Sequence, residues 1–288
     1  MASTQLLQRR IRTAQNVSKT TRAMQMIAAS KLKKAQDAAL ASRPYVEKLS
    51  AITRNLTGKI EPAGIPAYMK PNKAGGKTLV VVISPDKGLC GGLTTNLTRE
   101  IIKRKNTNIE YVTVGKKAEG AVVYLGQKLL ATFRFGNTLP KFDIVYPIVD
   151  IIDSMYKEGK IEKVEILSTH FLNVFMQKTV TTPLLPIKAD ELVEKSEKKT
   201  LQSLPLFEPD LETILPDLLK QYIEMVVYQE VLESYLSEQS ARMLAMQNAT
   251  NNAKDIIEDL RLEYNKTRQA KITSEILDIT GAAASLNA

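Results

Sequence analysis

Two short glycine-containing segments come nearest to a phosphate-binding or catalytic motif. Residues 75–78 (GGKT) resemble the end of a phosphate-binding loop, but Pro71 stands where that motif needs its first glycine, and the segment precedes its predicted strand. Residues 84–92 (SPDKGLCGG) follow a predicted strand and precede a predicted helix, where backbone N–H groups can bind a phosphate. Their glycine spacing does not match the dinucleotide-binding fingerprint. A tight strand-to-helix turn is the favoured interpretation, and a nucleotide-binding enzyme stays as an alternative.

The chain offers few nucleophiles, bases or metal ligands. Cys90 is the one cysteine and His170 the one histidine, so the chain cannot form an internal disulfide or a zinc site of the usual Cys and His ligands. The two residues belong to different predicted elements, which favours a packed thiol and a histidine at a strand end. The sequence around the Asp and Glu residues shows no motif that would mark a catalytic acid–base pair. We predict no catalytic residue, no cofactor and no metal.

The elements that must position these residues divide by their content of helix breakers. Twelve of the 13 glycines lie between Gly58 and Gly159. Both ends of the chain are rich in residues that lose little side-chain entropy in a helix. The composition therefore predicts two very long terminal helices, over residues 1–60 and 210–285.

Two prolines set the expected limits of these helices. Pro44 predicts a kink or break near Ser42, because proline cannot donate a backbone hydrogen bond. Pro216 is tolerated without strain in a first turn, so the last helix is predicted to begin between Asp210 and Pro216.

Each long helix has a narrow apolar stripe at steps of three and four residues, nearly regular in the second helix, which is typical of the seam of a two-stranded coiled coil. The first stripe comprises Leu7, Ile11, Ala14, Val17, Thr21, Met24 and Ala28. The second comprises Leu236, Met243, Met246, Thr250, Ala253, Ile257, Leu260, Tyr264 and Thr267.

Charge supports the pairing of the two ends. Residues 1–60 contain 12 lysines and arginines against two acids, whereas residues 207–288 contain 14 acids against seven bases. Exposed ion pairs contribute only about 0 to 1 kcal/mol each. We therefore expect charge to select the partner helix and apolar burial to hold it.

The basic first helix also permits two other interpretations. A nucleic-acid-binding helix usually interleaves aromatic residues, but Tyr45 is the one aromatic residue among the first 60. A membrane-surface helix usually has Trp or Phe on its apolar face, and this stripe has neither. We expect no nucleic-acid partner, and a coiled-coil adaptor for acidic partners stays as an alternative.

The middle of the chain alternates predicted strands and helices. Strands are predicted at 78–84, 109–114, 129–135, 164–170 and 180–187, with helices at 93–105, 116–125 and 142–158. This order predicts a small Rossmann-like α/β domain over residues 75–190 with a mostly parallel sheet. Residues 191–209 are predicted to be a charged linker.

The ends and the central turn resemble the gamma subunit of F-type ATP synthases. The resemblance is carried by RIRTAQNVSKTTRAMQMIAASKLKKAQ and SRPY near the N-terminus, DKGLCGG in the turn, and SEQSARMLAMQNATNNA and YNKTRQAKITSEILDITGAAA near the C-terminus. It extends from about Gln5 to Ala284, and the terminal motifs are too long to match by chance.

This resemblance implies a noncatalytic rotor shaft, present in one copy per complex. The terminal helices would form a long antiparallel coiled coil inserted into a hexamer of alternating alpha and beta subunits. The foot would contact the epsilon subunit and the c-subunit ring. Proton-driven turning of the ring would move the three catalytic sites through successive states. The nucleotide chemistry would belong to beta.

The resemblance also assigns partner contacts to six residues. Met24 would lie near the beta subunit's moving acidic segment, although simple seam packing is an equal alternative. Four residues would lie on the shaft surface coupled to that movement: Arg242, Arg268, Gln269 and Thr273. Glu208, in the segment FEPD, would lie near the c ring, although an acid is also favoured at a helix start.

Two further expectations follow. The thiol-regulated plant type of this subunit carries an inserted pair of cysteines. This chain has Cys90 alone, so it cannot use that thiol switch. No Arg/Ser-rich presequence precedes the first helix, which favours a bacterial protein bound peripherally at the cytoplasmic face of the cell membrane.

Overall fold

The computed structural model describes residues 4–57, 66–72, 75–104, 108–134, 136, 138–187 and 211–286. The chain divides into two compact units. One joins the start of the chain up to Ala28 with the segment from Arg242 onward, and the other comprises residues 29–241. The predicted linker at 191–209 and Glu208 lie outside the described residues.

The described helices and strands follow the predicted order. They are α1 (Thr4–Thr57), β1 (Thr78–Ile83), α2 (Leu93–Lys103), β2 (Ile109–Val114), α3 (Lys116–Tyr124), β3 (Lys128–Phe133), α4 (Val145–Lys157), β4 (Lys163–Phe171), β5 (Gln177–Leu185) and α5 (Leu211–Leu286). Short 3-10 helices lie at Ala67–Met69 and Phe142–Ile144. The two long terminal helices are thus confirmed, and α5 begins within the predicted interval.

The break predicted near Ser42 is wrong, because α1 continues through Pro44. The Ser42 Oγ lies 2.8 Å from Gln229 Oε1, and Gln221 Nε2 donates a hydrogen bond of 2.6 Å to the Tyr45 hydroxyl. Contacts with α5 therefore flank the proline on both sides. These contacts keep α1 helical around Pro44, which has no backbone N–H and therefore leaves one helix hydrogen bond unmade. The pairing also shows that the two helices are antiparallel in the larger unit.

The sheet confirms the predicted mostly parallel arrangement. Its strand order is β3-β2-β1-β4-β5. The first four strands are parallel, and β5 is antiparallel to β4. β1 lies at the centre, and all but its first residue are buried, as expected for a β-branched strand covered on both faces.

Helices cover both faces of this sheet within the larger unit. On one face α2 and α3 pack their apolar side chains onto the strands: Leu97, Ile101 and Val122 against Val80, Val82, Tyr111 and Leu167. On the other face α4 and α5 do the same: Ile148, Ile152, Leu219 and Ile223 with Leu79, Val81 and Ile166. The α5 residues recur every four positions, so one stripe of the long helix completes the core of the α/β domain.

A close backbone approach ties β1 to β2 at their carboxyl ends. Gly115 follows β2 with a φ of +101°, and a Cβ at this position would lie 1.9 Å from the Ser84 carbonyl oxygen. The Ser84 Oγ in turn accepts a hydrogen bond of 2.8 Å from the Ala118 amide at the start of α3. A glycine is required here because a side chain has no room and the backbone is left-handed.

A buried carboxylate joins α5 to the sheet. Glu230 accepts hydrogen bonds from Ser168 on β4 and, at 3.0 Å, from Thr182 on β5, and its Oε2 lies 2.8 Å from His170 Nε2. The hydrogen bond to Glu230 raises the pKa of His170; the charges of Glu230 and Glu233 add to this, and burial opposes it. His170 therefore lies within β4, where it pairs with a glutamate on α5.

Replacing Gly115 by alanine should destabilise the α/β domain by about 3 kcal/mol, because the new methyl group forces the Ser84 backbone to move and the φ is strained. Urea unfolding measures this loss. Gly120→Ala is the matched control: Gly120 lies within α3 with nothing within 4 Å of an added Cβ, and it should gain about 0.5 to 1 kcal/mol. Equal stability of the two variants would contradict the close approach.

His170 predicts a pH dependence of stability. Its folded-state pKa lies above the unfolded value, so its charged form stabilises the fold below about pH 6.5, and this contribution is lost as the pH rises through the folded-state pKa. The urea midpoint should therefore fall more between about pH 6 and about pH 8.5 in the unmodified chain than in His170→Gln, which cannot titrate. Parallel pH profiles for the two proteins would refute a charged His170–Glu230 pair.

Candidate partner-binding surface of the terminal helices

The smaller unit is a pair of helix segments with a seam of small and apolar residues. The Thr21 and Thr250 hydroxyls lie 2.7 Å apart across the seam. Six apolar or small residues are buried along it: Leu7 and Ala28 on α1, and Met246, Thr250, Ala253 and Ile257 on α5. Small residues let two helices approach closely, which is the property that a thin coiled coil needs.

One predicted seam position on α1 is wrong. Val17 is 47% exposed, whereas the neighbouring Ser18 is half-buried. Both residues satisfy the steps of three and four between Ala14 and Thr21, so spacing could not separate them. The facing helix selects Ser18, and Val17 lies instead at the rim of a surface groove.

This groove is an apolar concavity on the surface of the smaller unit. Its volume is about 510 Å³. It is lined by Arg9, Arg10, Thr13, Ala14 and Val17 of α1 and by Ala253, Ile256 and Leu260 of α5. Low-numbered residues of α1 thus lie beside high-numbered residues of α5, as an antiparallel pair requires. Apolar walls with two guanidinium groups suit contact with a protein surface that is partly apolar and partly acidic.

The structure separates the residues expected to contact partners into two groups. Met24 and Arg242 are half-buried. Arg268, Gln269 and Thr273 are exposed on one stretch of α5, and the Thr273 hydroxyl donates a hydrogen bond of 3.0 Å to the Gln269 carbonyl. Gln269 and Thr273 therefore share one face of the helix.

Sequence reasoning missed an exposed apolar segment at the end of α5. Every residue from 268 to 280 is exposed, including four large apolar side chains: Ile272, Ile276, Leu277 and Ile279. Because Thr21 faces Thr250, the start of α1 at Thr4 faces about residue 267 when the rise per residue is equal in both helices. Counting residues from the seam finds this segment once the register is known, since the predicted second helix continues past the residue that faces the start of the first.

Three polar side chains of the larger unit, Asp86, Cys90 and Tyr68, are engaged in the fold. Asp86 accepts hydrogen bonds of 3.0 Å from the Lys116 and Gly136 amides, one on each carboxylate oxygen. Cys90 is buried with its Sγ 3.5 Å from the Thr94 hydroxyl, which confirms the packed thiol. The Tyr68 hydroxyl donates to Asp153 at 2.6 Å, and burial and this hydrogen bond raise the pKa of the phenol. These groups hold loops and helices together.

Across the described ranges, none of the helices combines the length and apolar character that spanning a bilayer demands. In the same residues, no cluster of three or more His, Cys, Asp or Glu side chains could hold a metal ion.

Known proteins resemble the chain over its whole length. The ATP synthase family profile matches residues 3–286. The ATP synthase gamma chain of Polynucleobacter asymbioticus is 39% identical over 99% of this chain and 100% of its own length. That of Polynucleobacter necessarius subsp. necessarius is 40% identical, and that of Dehalococcoides mccartyi strain CBDB1 is 39% identical, with the same coverage.

Solved structures share the fold at lower identity. The central stalk and c-ring structure of the Tetrahymena thermophila mitochondrial ATP synthase contains a chain with a TM-score of 0.60 and 24% identity, covering 80% of this chain and 99% of that one. A chain of the Euglena gracilis mitochondrial ATP synthase has a TM-score of 0.59 and 19% identity, covering 92% of this chain and 95% of that one. With the sequence matches, these findings establish that the chain belongs to the ATP synthase gamma chain family.

Proposed function

We propose that this chain is the central rotor shaft of a proton-translocating F-type ATP synthase. It couples turning of a membrane c ring to successive conformational changes at catalytic sites in an alpha/beta hexamer. The chain itself is noncatalytic, and one copy serves each complex. The complex lies at the cytoplasmic face of a bacterial cell membrane, with this chain bound to it peripherally.

The exposed end of α5 is the single observation that carries this proposal. A short helical segment without a packing partner, such as residues 268–280, is only marginally stable in water. Four large apolar side chains on this segment are exposed. Exposed apolar surface of this kind is typical of a segment that a partner covers. Insertion into the centre of a hexamer supplies that cover on all sides.

The seam of the smaller unit supports a shaft. Threonine, alanine and methionine side chains along it keep the helices close, and the described part of both helices from Thr4 to Ala28 and from Arg242 to Thr280 contains no glycine. Helix interiors without glycine resist bending better, because glycine increases backbone freedom. Such a pair can transmit torque to the subunits around it.

The proposed partners differ in the surfaces that they would contact. The alpha and beta subunits would surround the smaller unit, where Arg9 and Arg10 flank the apolar groove. Met24, Arg242, Arg268, Gln269 and Thr273 would transmit movement to the beta subunits. The epsilon subunit and the c ring would bind the opposite end of the shaft, where Glu208 would approach the ring.

Rotation of the chain tests the proposal directly. Tyr124 is 91% exposed at the end of α3, so Tyr124→Cys can carry a biotin and a bead without disturbing the core. With the alpha/beta hexamer fixed to a surface, the bead should turn in one direction when ATP is added, whereas the isolated chain should show no ATPase activity.

The unmodified chain provides the control, because Cys90 is buried and should not take up the label. A bead that stays still while the complex hydrolyses ATP would rule out a rotor. ATP hydrolysis by the isolated, pure chain would rule out the noncatalytic assignment.

Arg268 tests the proposed contacts of the shaft. Arg268→Ala should lower ATP synthesis by the complex about tenfold, the effect of losing one charge-assisted hydrogen bond of about 1.5 kcal/mol. The free energy of unfolding should stay unchanged, since Arg268 is exposed. Lys266→Ala, two residues away and equally exposed, is the matched control. The same activity in both variants would remove Arg268 from the coupling surface.

A further inference from the structure

Hydrogen bonds join one face of α5 to the hairpin formed by β4 and β5. The apolar core beneath the sheet includes α5 residues from Leu215 to Val231. Polar contacts begin where this core ends. They are made by four α5 residues at steps of three, four and three, which share one face of a helix: Glu230, Glu233, Ser237 and Ser240. We call these four residues the polar ladder.

The first three residues of the polar ladder bind the strands of the hairpin. Glu230 binds side chains of both β4 and β5, as described above. A Glu233 carboxylate oxygen accepts a hydrogen bond of 3.4 Å from the Phe171 amide. The Ser237 hydroxyl donates to the Thr169 carbonyl at 2.9 Å. The ladder therefore follows β4 towards the tip of the hairpin.

The last residue of the ladder, Ser240, binds the tip itself. Its hydroxyl donates to the Val174 carbonyl at 3.1 Å, and Gln177 Nε2 donates to the Ser240 Oγ at 3.4 Å. The tip has its own internal support, because the Asn173 Oδ1 accepts hydrogen bonds of 2.9 and 2.8 Å from the amides two and three residues further on. Ser240 is therefore bound to an acceptor that is held in place.

Most of the ladder is buried. Ser237 and Ser240 have no exposed surface, and Glu230 is 6% exposed. Water cannot readily replace a buried hydrogen bond that breaks, so breaking one costs more free energy than it would at the surface. The ladder is therefore a strong constraint on the geometry of this junction.

Apolar burial and hydrogen bonding constrain a helix in different ways. Apolar burial is non-directional, so a helix can turn slightly about its axis and keep most of its apolar contacts. Hydrogen bonds weaken steeply as the angle or the distance changes. The ends of helix side chains lie about 5 Å from the axis, so a turn of α5 by about 20° would move each ladder residue by about 2 Å. All of the ladder contacts would then break together.

We propose that the polar ladder fixes the rotation of α5 about its own axis relative to the α/β domain. Its members are positioning residues, which pass torque between the long helix and the domain. The inference rests on the proposed function, because torque crosses this junction only in a rotor. Under load, α5 and the α/β domain turn as one body, with little twist between them.

The bead experiment, extended to a variant of the ladder, tests this role. The bead is attached at Tyr124→Cys in the α/β domain, and the ATP concentration is lowered until the bead pauses between steps. The angular variance within a pause is inversely related to the torsional stiffness between the hexamer and the bead. Ser237→Ala combined with Ser240→Ala should raise this variance at least about 1.5-fold, because two directional contacts are lost.

Ser154→Ala is the matched control. It removes a serine hydroxyl that donates to the Ile151 carbonyl within α4, so it deletes a hydrogen bond inside one helix. Its angular variance should equal that of the unmodified chain. If the double variant fails to fold by its urea transition, Ser240→Ala alone should still raise the variance, because it releases the tip of the hairpin.

Two outcomes would overturn the proposal, and they differ in what they leave standing. Equal variance in the double variant and in Ser154→Ala would overturn the torsional role even if the double variant has a lower urea midpoint, because a ladder that only adds stability predicts that result. The rotor would then stand, since the bead still turns. A bead that stays still in the unmodified complex would overturn the proposed function and the torsional role together.

Discussion

The fold depends on the burial of a narrow apolar stripe between the two ends of the chain. Helices of 54 and 76 residues obtain most of their stability from packing an amphipathic face, since propensity alone contributes little. In the smaller unit each terminal segment provides the face that the other lacks. Where the partner ends, the side chains of α5 over residues 268–280 are exposed. The length of α1 therefore decides which part of α5 is free to contact other subunits.

The larger unit connects the long helices to the sheet by two different kinds of contact. Apolar side chains of α5 complete the core beneath the sheet, which provides most of the free energy. Glu230 fixes the register of α5 against β4 and β5, because its hydrogen bonds to Ser168 and Thr182 can be satisfied in one register alone. A domain fixed in this way to its helix would turn with it, as a rotor requires.

Sequence patterns predicted the elements well where one physical rule dominates. The β-branched run of β1 and the glycine-free segments 4–57 and 211–280 allow one assignment each, and the structure confirms both. The break predicted at Pro44 is wrong because the local cost of the proline is offset by contacts of α5 with Ser42 and Tyr45. The seam position predicted at Val17 is wrong because Val17 and Ser18 satisfy the same spacing. The partner contacts of Met24, Arg242, Arg268, Gln269, Thr273 and Glu208 rest on family resemblance and stay predictions.

The sequence by itself determined the helical ends, the α/β centre and the family, because breaker positions, periodicity and long motifs are local properties of the chain. Tertiary structure alone decided the pairing of Glu230 with His170 and the contacts of α5 with Ser42 and Tyr45 of α1. These features join residues 60 or more positions apart, and no local pattern records which distant side chains will meet. The exposed end of α5 depends on both, since the length of the last helix is visible in the sequence but its unpaired end is a consequence of antiparallel pairing.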